Sequence, residues 1–325
     1  MMCTAITYKT GQHYFGRNLD LDRSLGESVV ITPRNFPFSL RCAAALPRHH
    51  AIIGVAHVES GYPLYYDAVN ECGLSAAGLL FPLSAVYHPY CAGKTNLAPF
   101  ELIPYLLGTC ADVQQARKVL GKVNLWAEPF SPRLPLSPLH WLIADRSGAI
   151  VVESTAEGLR IYDNPIGVLT NEPPFPFHRA NLTQYMTLTP QPPVNTFAPA
   201  LALQPCSFGV GGVGLPGDLS SVSRFVRAAY TLHNSVCDGS EEASVAQFFH
   251  ILSAVAQQRG CAALAGGGYE TTLYSCCCNT DEGIYYYTTY GNPAITAVSL
   301  RRENPEGDRL IAYPMRTGVQ ITQQN

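Results

Sequence analysis

Within its first twenty-two residues, MMCTAITYKTGQHYFGRNLDLD, the chain gathers a thiol at Cys3, a guanidinium at Arg17 and a carboxylate at Asp20. A cysteine that becomes the first residue of a mature chain carries a nucleophile and a free α-amine on one carbon skeleton. The thiol, with an ordinary pKa of about 8.5, is only a few per cent ionised at neutral pH, so it needs a base or nearby positive charge. The amine, at about 7.7–8.0, can take that proton. Arg17 offers the positive charge, and Asp20 an acceptor to orient the amine. These are parts for nucleophilic catalysis.

The elements that must position them begin with two strand-like runs, CTAITYK and HYFGRNLDL, joined through Thr10 and Gly11 as a hairpin. A two-residue loop pairs Lys9 with Gln12 and sets Cys3 opposite Asn18; one or two more loop residues move that partner to Leu19 or Asp20. In each register the thiol stays within about a diagonal neighbour of Arg17 and Asp20, cross-strand residues being roughly 5 Å apart. Two further regions read as strands. LHWLIADRSGAIVVESTAEGLRIYDNPIGVLTNEP breaks at Arg146-Ser147-Gly148, Glu157-Gly158 and Asn164-Pro165 and ends on Asn171, and TTLYSCCCNTDEGIYYYTTYGNPAITAVSL turns at Asp281-Glu282-Gly283 and Gly291-Asn292-Pro293.

Helical spacing predicts helices over 111–123, 220–236 and 241–259. Val222, Phe225, Val226 and Ala229 form one apolar stripe, and Val245, Phe248, Leu252 and Val255 another. Strand groups with helices segregated between them predict an α+β protein, with helices covering the outside of two stacked antiparallel sheets. The proline-rich stretches at 129–138 and 190–205 read as long loops, the first apolar enough to line a pocket. No repeat or linker divides the chain, so residues 3–325 are expected to form a single domain.

Bulk properties narrow the function. A net charge of −3 with only 14% charged residues gives no basic stripe for nucleic acid and no polybasic patch for a membrane surface. Eleven cysteines, an odd number without regular spacing, fit free thiols in a reducing compartment. No leader pattern and no long apolar run is present, so a cytoplasmic protein is expected.

MCTAITY, FGRNLDLD, PRNF, NECGLSAAGL, LHWLIAD, GVLTNEP, GLPGDLSSVSRF and IYYYTTY resemble, in order and spacing, the choloylglycine hydrolase family of bile salt hydrolases and penicillin V acylases. The resemblance spans nearly the whole chain. It implies an N-terminal nucleophile hydrolase with a four-layer αββα sandwich, no cofactor and no metal. It places the catalytic roles on Cys3, Arg17, Asp20, Asn171 and Arg224, with Asn171 and the backbone N–H of Leu80 as oxyanion donors. Methionine removal is expected to expose Cys3; because Met2 is not small, translation is expected to begin there, so that Met1 and Met2 are both absent from the active enzyme. A homotetramer is implied by the same resemblance.

Leu80 stands where bile salt hydrolases commonly carry asparagine and penicillin V acylases tyrosine. A backbone donor survives that change; a side-chain hydrogen bond to substrate does not. A conjugated bile salt needs a broad apolar slot with a polar mouth, for which Leu19, Tyr65, Tyr66, Leu80, Phe130, Leu134 and Leu136 are candidates. The expected activity is hydrolysis of glycine- or taurine-conjugated bile acids. The alternatives are penicillin V or N-acyl homoserine lactone amidase chemistry, or a catalytically silent binder. Cys276, Cys277 and Cys278 lack a CxxC pair or a histidine at ligand spacing and read as strand residues, as do Tyr285, Tyr286 and Tyr287; His49, His50 and His178 carry no metal signal.

Overall fold

The computed structural model describes residues 2–325; the expectations for Met1 lie outside the described residues. In chain order the first strands are β1 (Cys3–Lys9), β2 (His13–Leu21), β3 (Ser28–Thr32), β4 (Ile52–Glu59), β5 (Tyr62–Asn70), β6 (Ser75–Leu80), β7 (Thr95–Leu97) and β8 (Val123–Leu125). They are followed by β9 (Leu139–Asp145), β10 (Gly148–Thr155), β11 (Gly158–Asp163), β12 (Val168–Leu169), β13 (Thr271–Asn279), β14 (Ile284–Thr289), β15 (Asn292–Ser299) and β16 (Ile311–Pro314). The helices are α1 (Leu102–Thr109), α2 (Val113–Leu120), α3 (Phe175–Asn181), α4 (Ser221–Asn234) and α5 (Glu241–Ser253).

Two antiparallel sheets face one another. The first has the order β12-β1-β2-β13-β14-β15 and the second β11-β10-β9-β6-β5-β4-β3-β16. Helices α4 and α5 cover the first sheet, and α1 and α2 the second. This is the α+β, four-layer arrangement expected.

Period-two alternation sorts the second sheet's side chains between its two faces. Val29, Ile31, Ile53, Val55, Leu142 and Ala144 join the core shared with the first sheet. Val30, Ile52, Trp141 and Ile143 join the core beneath α1 and α2. On the opposite outer layer, Val245, Phe248 and Leu252 bury the stripe of α5, each contributing about 1.5–3 kcal/mol when fully buried.

Helix boundaries are shorter than the spacing predicts. In α2, Asp112 caps the start by accepting the Gln115 N–H at 2.7 Å. Helix α5 stops at Ser253, because the chain beyond it turns to pair with Thr272. The Gln257 N–H donates to the Thr272 hydroxyl at 2.7 Å, and the Thr272 N–H to the Gln257 carbonyl at 3.0 Å.

Candidate active site

The β1–β2 hairpin closes with a three-residue loop, Lys9 pairing with His13, and this sets Cys3 opposite Leu19. Strand alternation then separates the two charged residues. Arg17 shares the face of Leu19 and reaches the second sheet, donating to the carbonyls of Tyr66 at 3.1 Å and Gly78 at 2.6 Å. Asn18, one residue along, points to the helix layer and donates to the Leu252 carbonyl. Asp20 shares that second direction and takes the Thr272 hydroxyl at 2.6 Å. With Cys3 opposite Leu19, Arg17 and Asp20 both lie within a diagonal neighbour of it, Arg17 on the sulfur's face of the sheet and Asp20 on the other.

Two local irregularities make this possible. A register shift in β5 leaves Tyr66 between the pairs Ala56–Tyr65 and Val55–Asp67, freeing its carbonyl for Arg17. Gly16 allows β2 and β13 to come together, since a Cβ there would stand 1.9 Å from the Cys276 carbonyl oxygen.

Arg224 enters from the first turn of α4, which is capped by the Ser220 hydroxyl accepting the Ser223 N–H. It is fully buried and held at four points. Its Nη1 donates to the Cys3 carbonyl at 2.5 Å and the Thr4 hydroxyl at 2.6 Å, its Nη2 to Asn171 Oδ1 at 2.8 Å and its Nε to the Leu219 carbonyl at 3.0 Å. Asn171 follows β12 and is fixed from all sides. Its Oδ1 also accepts the Cys3 N–H at 2.7 Å, while its Nδ2 donates to the Leu80 carbonyl at 2.8 Å. Two donors on Oδ1 decide the amide's orientation, leaving a second Nδ2 hydrogen for a ligand.

The direction of the Leu80 N–H follows from its ladder. Phe81 donates to the Pro138 carbonyl at 2.8 Å, so Leu80, one residue earlier and paired with Leu139, belongs to the non-hydrogen-bonded class toward β9. Its N–H and carbonyl point to the other edge, beyond the Asp67–Ala77 pair where the β5 ladder ends. Asn171 already meets the carbonyl there.

Charge at the site is governed by burial. Desolvation pushes the Cys3 thiol above its ordinary value; Arg17 is the largest opposing influence, Asp20 raises it further, and the backbone N–H of Asp20 and the charge of Arg224 lower it. Both arginines pull the thiol down, but burial outweighs them. Asp20 is pushed up to about 6 by burial, against the pull of Arg224 and the Thr272 hydroxyl. Its Oδ2 has no hydrogen-bond partner among the described residues. With Met2 in place, its N–H donating to the Glu270 carboxylate, Cys3 is 1% exposed.

Three neighbours of Asn171 were not apparent in the sequence. His178 donates to its carbonyl at 3.0 Å, and burial holds that imidazole down at about 4, hence neutral. His140 lies 2.9 Å from the Thr170 carbonyl. The Ser221 hydroxyl accepts the Asn171 N–H. Only the apolar alternation of LHWLIAD, interrupted by a histidine, marked His140 as unusual.

The proposed slot residues divide. Leu19 is buried across from Cys3, and Tyr66 and Leu80 pack against the intersheet core. Tyr65 is not among them: it lies in the core beneath α1, its hydroxyl 2.6 Å from that of Thr32. The Phe130 ring packs on Tyr62 and Phe100, with Arg41 stacked over it at 5.7 Å, and so belongs to that outer layer too. Leu134 and Leu136 are half-buried on the loop that ends at Pro138. A cleft of about 1140 Å³ lies toward the hairpin's opposite end, and none of the five expected catalytic residues lines it.

Residues 3–313 match the model of the linear amide C–N hydrolases, choloylglycine hydrolase family. The chain is 52% identical to a bile salt hydrolase/transferase of Lactiplantibacillus plantarum over 98% of each chain. It superposes on a crystal structure of an arginine-to-leucine variant of conjugated bile acid hydrolase from Clostridium perfringens with TM-score 0.92 at 35% identity, covering 99% of this chain and 100% of that one. A penicillin V acylase from Agrobacterium tumefaciens shares the fold, with TM-score 0.74 at 18% identity over 98% of this chain and 94% of that one. With a thiol at the head of its first strand, a buried pair of arginines and a fixed asparagine amide, the chain belongs to the choloylglycine hydrolase family of linear amide hydrolases.

Proposed function

We propose that this chain is a bile salt hydrolase, cleaving the amide of glycine- or taurine-conjugated bile acids through a thioester on Cys3, and that residues 3–325 act as one domain. The observation that carries the mechanism is a buried acceptor left over on β2, the strand paired with that of Cys3. The Cys3 peptide nitrogen has one hydrogen, given to Asn171, while Asp20 Oδ2 stays buried and unpartnered among the described residues. Freed from residue 2, the same nitrogen gains the hydrogens that Asp20 lacks. The substrate class comes from the relatives named above, and the apolar Leu19, Tyr66 and Leu80 around the thiol suit a steroid body.

As Cys3 Sγ attacks the carbonyl carbon, its proton passes to the α-amine. The oxyanion takes the Leu80 N–H and the second Asn171 Nδ2 hydrogen, donors each worth about 10²–10³ in rate where comparable ones have been removed. The carbon–nitrogen bond then breaks, and the ammonium returns its proton to the leaving glycine or taurine nitrogen. Water repeats the sequence on the thioester, releasing the bile acid and restoring the thiol.

A cytoplasmic homo-oligomer, tetrameric by resemblance, is part of this reading. All eleven cysteines are unpaired. Met186, Val194, Phe197, Phe208 and Val213 stand exposed on one segment, an apolar surface of the kind that subunits cover. Among the described residues no helix is long and apolar enough to cross a membrane.

Intact mass of active protein, paired with product analysis on conjugated bile salts, penicillin V and an N-acyl homoserine lactone, tests the reading. Expected are a chain beginning at Cys3 and release of glycine or taurine. Release of phenoxyacetate alone, or undiminished turnover by Cys3→Ala, overturns it.

A further inference from the structure

The two oxyanion donors come from different sheets, Asn171 after β12 and Leu80 at the end of β6. Something must hold their separation. The Asn171 side is rigid: His140 meets the Thr170 carbonyl, His178 donates to the Asn171 carbonyl, and Ser221 accepts the Asn171 N–H. The other side runs straight into a surface turn, in which Pro82 is exposed and Leu83 is 86% exposed.

Glu172, the residue after Asn171, binds that turn. Its Oε1 accepts the backbone N–H groups of Leu83 and Ser84, each at 2.9 Å, and its Oε2 accepts the Ser84 hydroxyl at 2.8 Å. With the Asn171 Nδ2 bond to the Leu80 carbonyl, four hydrogen bonds join residues 171–172 to residues 80–84. The turn's own Ala85 N–H to Phe81 carbonyl bond, at 3.0 Å, closes it without tying it to Asn171.

We infer that Glu172 is a positioning residue, clamping the Leu83–Ser84 turn so that the Leu80 N–H and the Asn171 amide keep the spacing an oxyanion requires. An ionised carboxylate suits the role because it is acceptor-only and takes three donors at once. It touches no reacting atom and acts through the two donors, so its effect falls on the transition state. The inference rests on the functional reading above, and misplacement of a donor by about 1 Å can cost on the order of 10²-fold in rate.

The experiment uses processed enzyme with Glu172→Ala, Glu172→Gln and Ser84→Ala. Wild-type turnover is measured first and by itself decides the substrate class. Variant-to-wild-type ratios on whichever acyl amide is cleaved then decide Glu172. Expected for Glu172→Ala is a fall in kcat of at least about 10-fold with KM changed less than about 3-fold. Glu172→Gln, which still accepts the two backbone N–H groups, and Ser84→Ala, which removes one bond, should be milder. The readout that a merely structural role leaves untouched is affinity for an acyl aldehyde of the same acid, which adds Cys3 Sγ across its carbonyl and places an oxygen in the donor site. It should weaken by the same factor as kcat/KM, while affinity for the free acid product stays constant. A kcat within 2-fold of wild type, or equal losses for aldehyde and product, overturns the assignment.

Discussion

Replacing Asp20 with asparagine should separate stability from activity, and should do so differently before and after Cys3 is freed. In the chain that carries Met2, burial pushes the Asp20 carboxyl from its ordinary 3.8 up to about 6, although Arg224, Thr272 and Arg17 favour its ionised form. Keeping it ionised at pH 7 therefore costs about 3 kcal/mol, roughly two pK units at 1.36 kcal/mol each. An amide has no charge to desolvate and retains an acceptor for Thr272. In a form blocked by an N-terminal extension, Asp20→Asn should then stabilise by up to about 3 kcal/mol at pH 7. The sign reverses the usual carboxylate case. With the folded value raised, the folded chain keeps a proton that the unfolded chain has released, so the gain is full above pH 6 and disappears as pH falls toward 3.8. In the processed form the α-amine can donate hydrogens to the carboxylate, and the ammonium formed during turnover is attracted to it, so the variant should gain less while losing on the order of 10²-fold or more in kcat. Urea midpoints of both forms at pH 7 and pH 5, with turnover of the processed form, supply the comparison. A stability gain of the same size in blocked and processed protein would refute the proposed amine–Asp20 pair.

Arg17→Lys keeps a charge but not a fork that spans the Tyr66 and Gly78 carbonyls, so it should destabilise by about 1–3 kcal/mol and raise the Cys3 thiol further. The pH dependence of Cys3 alkylation by iodoacetamide reads the second effect, and an unchanged midpoint would contradict it. Gly16→Ala forces a Cβ against the Cys276 carbonyl and should lower the urea midpoint by at least about 1–3 kcal/mol equivalent, with loss of turnover only in proportion to unfolding. His13 and His178 are both held down at about 4 by burial, below the ordinary 6.5. Folding therefore excludes their protons, and stability falls as pH drops from 6.5 toward 4, by up to about 2.7 kcal/mol per pH unit for the pair; Asp20 opposes with one proton between 6 and 3.8. Unfolding curves at pH 7, 6 and 5 check the slope, and a flat profile would remove one of these assignments.

What could be read from the sequence was what is written locally. The hairpin, the later strand groups and the stripes of α4 and α5 follow from alternation and helical spacing, and the three-residue loop was among the registers those residues allow. The centre of the second sheet was not legible. Strands β4 and β6 are buried on both faces, so IIGVA and SAAGLL show an apolar run with no polar beat to mark a strand. Helix α1 escaped for the same reason: LIPYLLGT is apolar nearly all round because it lies between β5 and the rest of its layer. The site divides along this line too. Cys3, Arg17 and Asp20 belong to one hairpin, whereas the partners of Arg17 come from a β5 irregularity and a β6 carbonyl that no local pattern encodes. Backbone atoms carry much of this chemistry. Arg224 is anchored on the Cys3 carbonyl, Arg17 on Tyr66 and Gly78, and Asn171 on Leu80, so the identity of residue 80 is free to change while its peptide group is not. On the proposed mechanism, that freedom lets a leucine stand at an oxyanion position. On the same proposal, substrate choice falls to side chains such as Leu80 and Tyr66, which pack against the intersheet core beside Cys3 without being required to build the site.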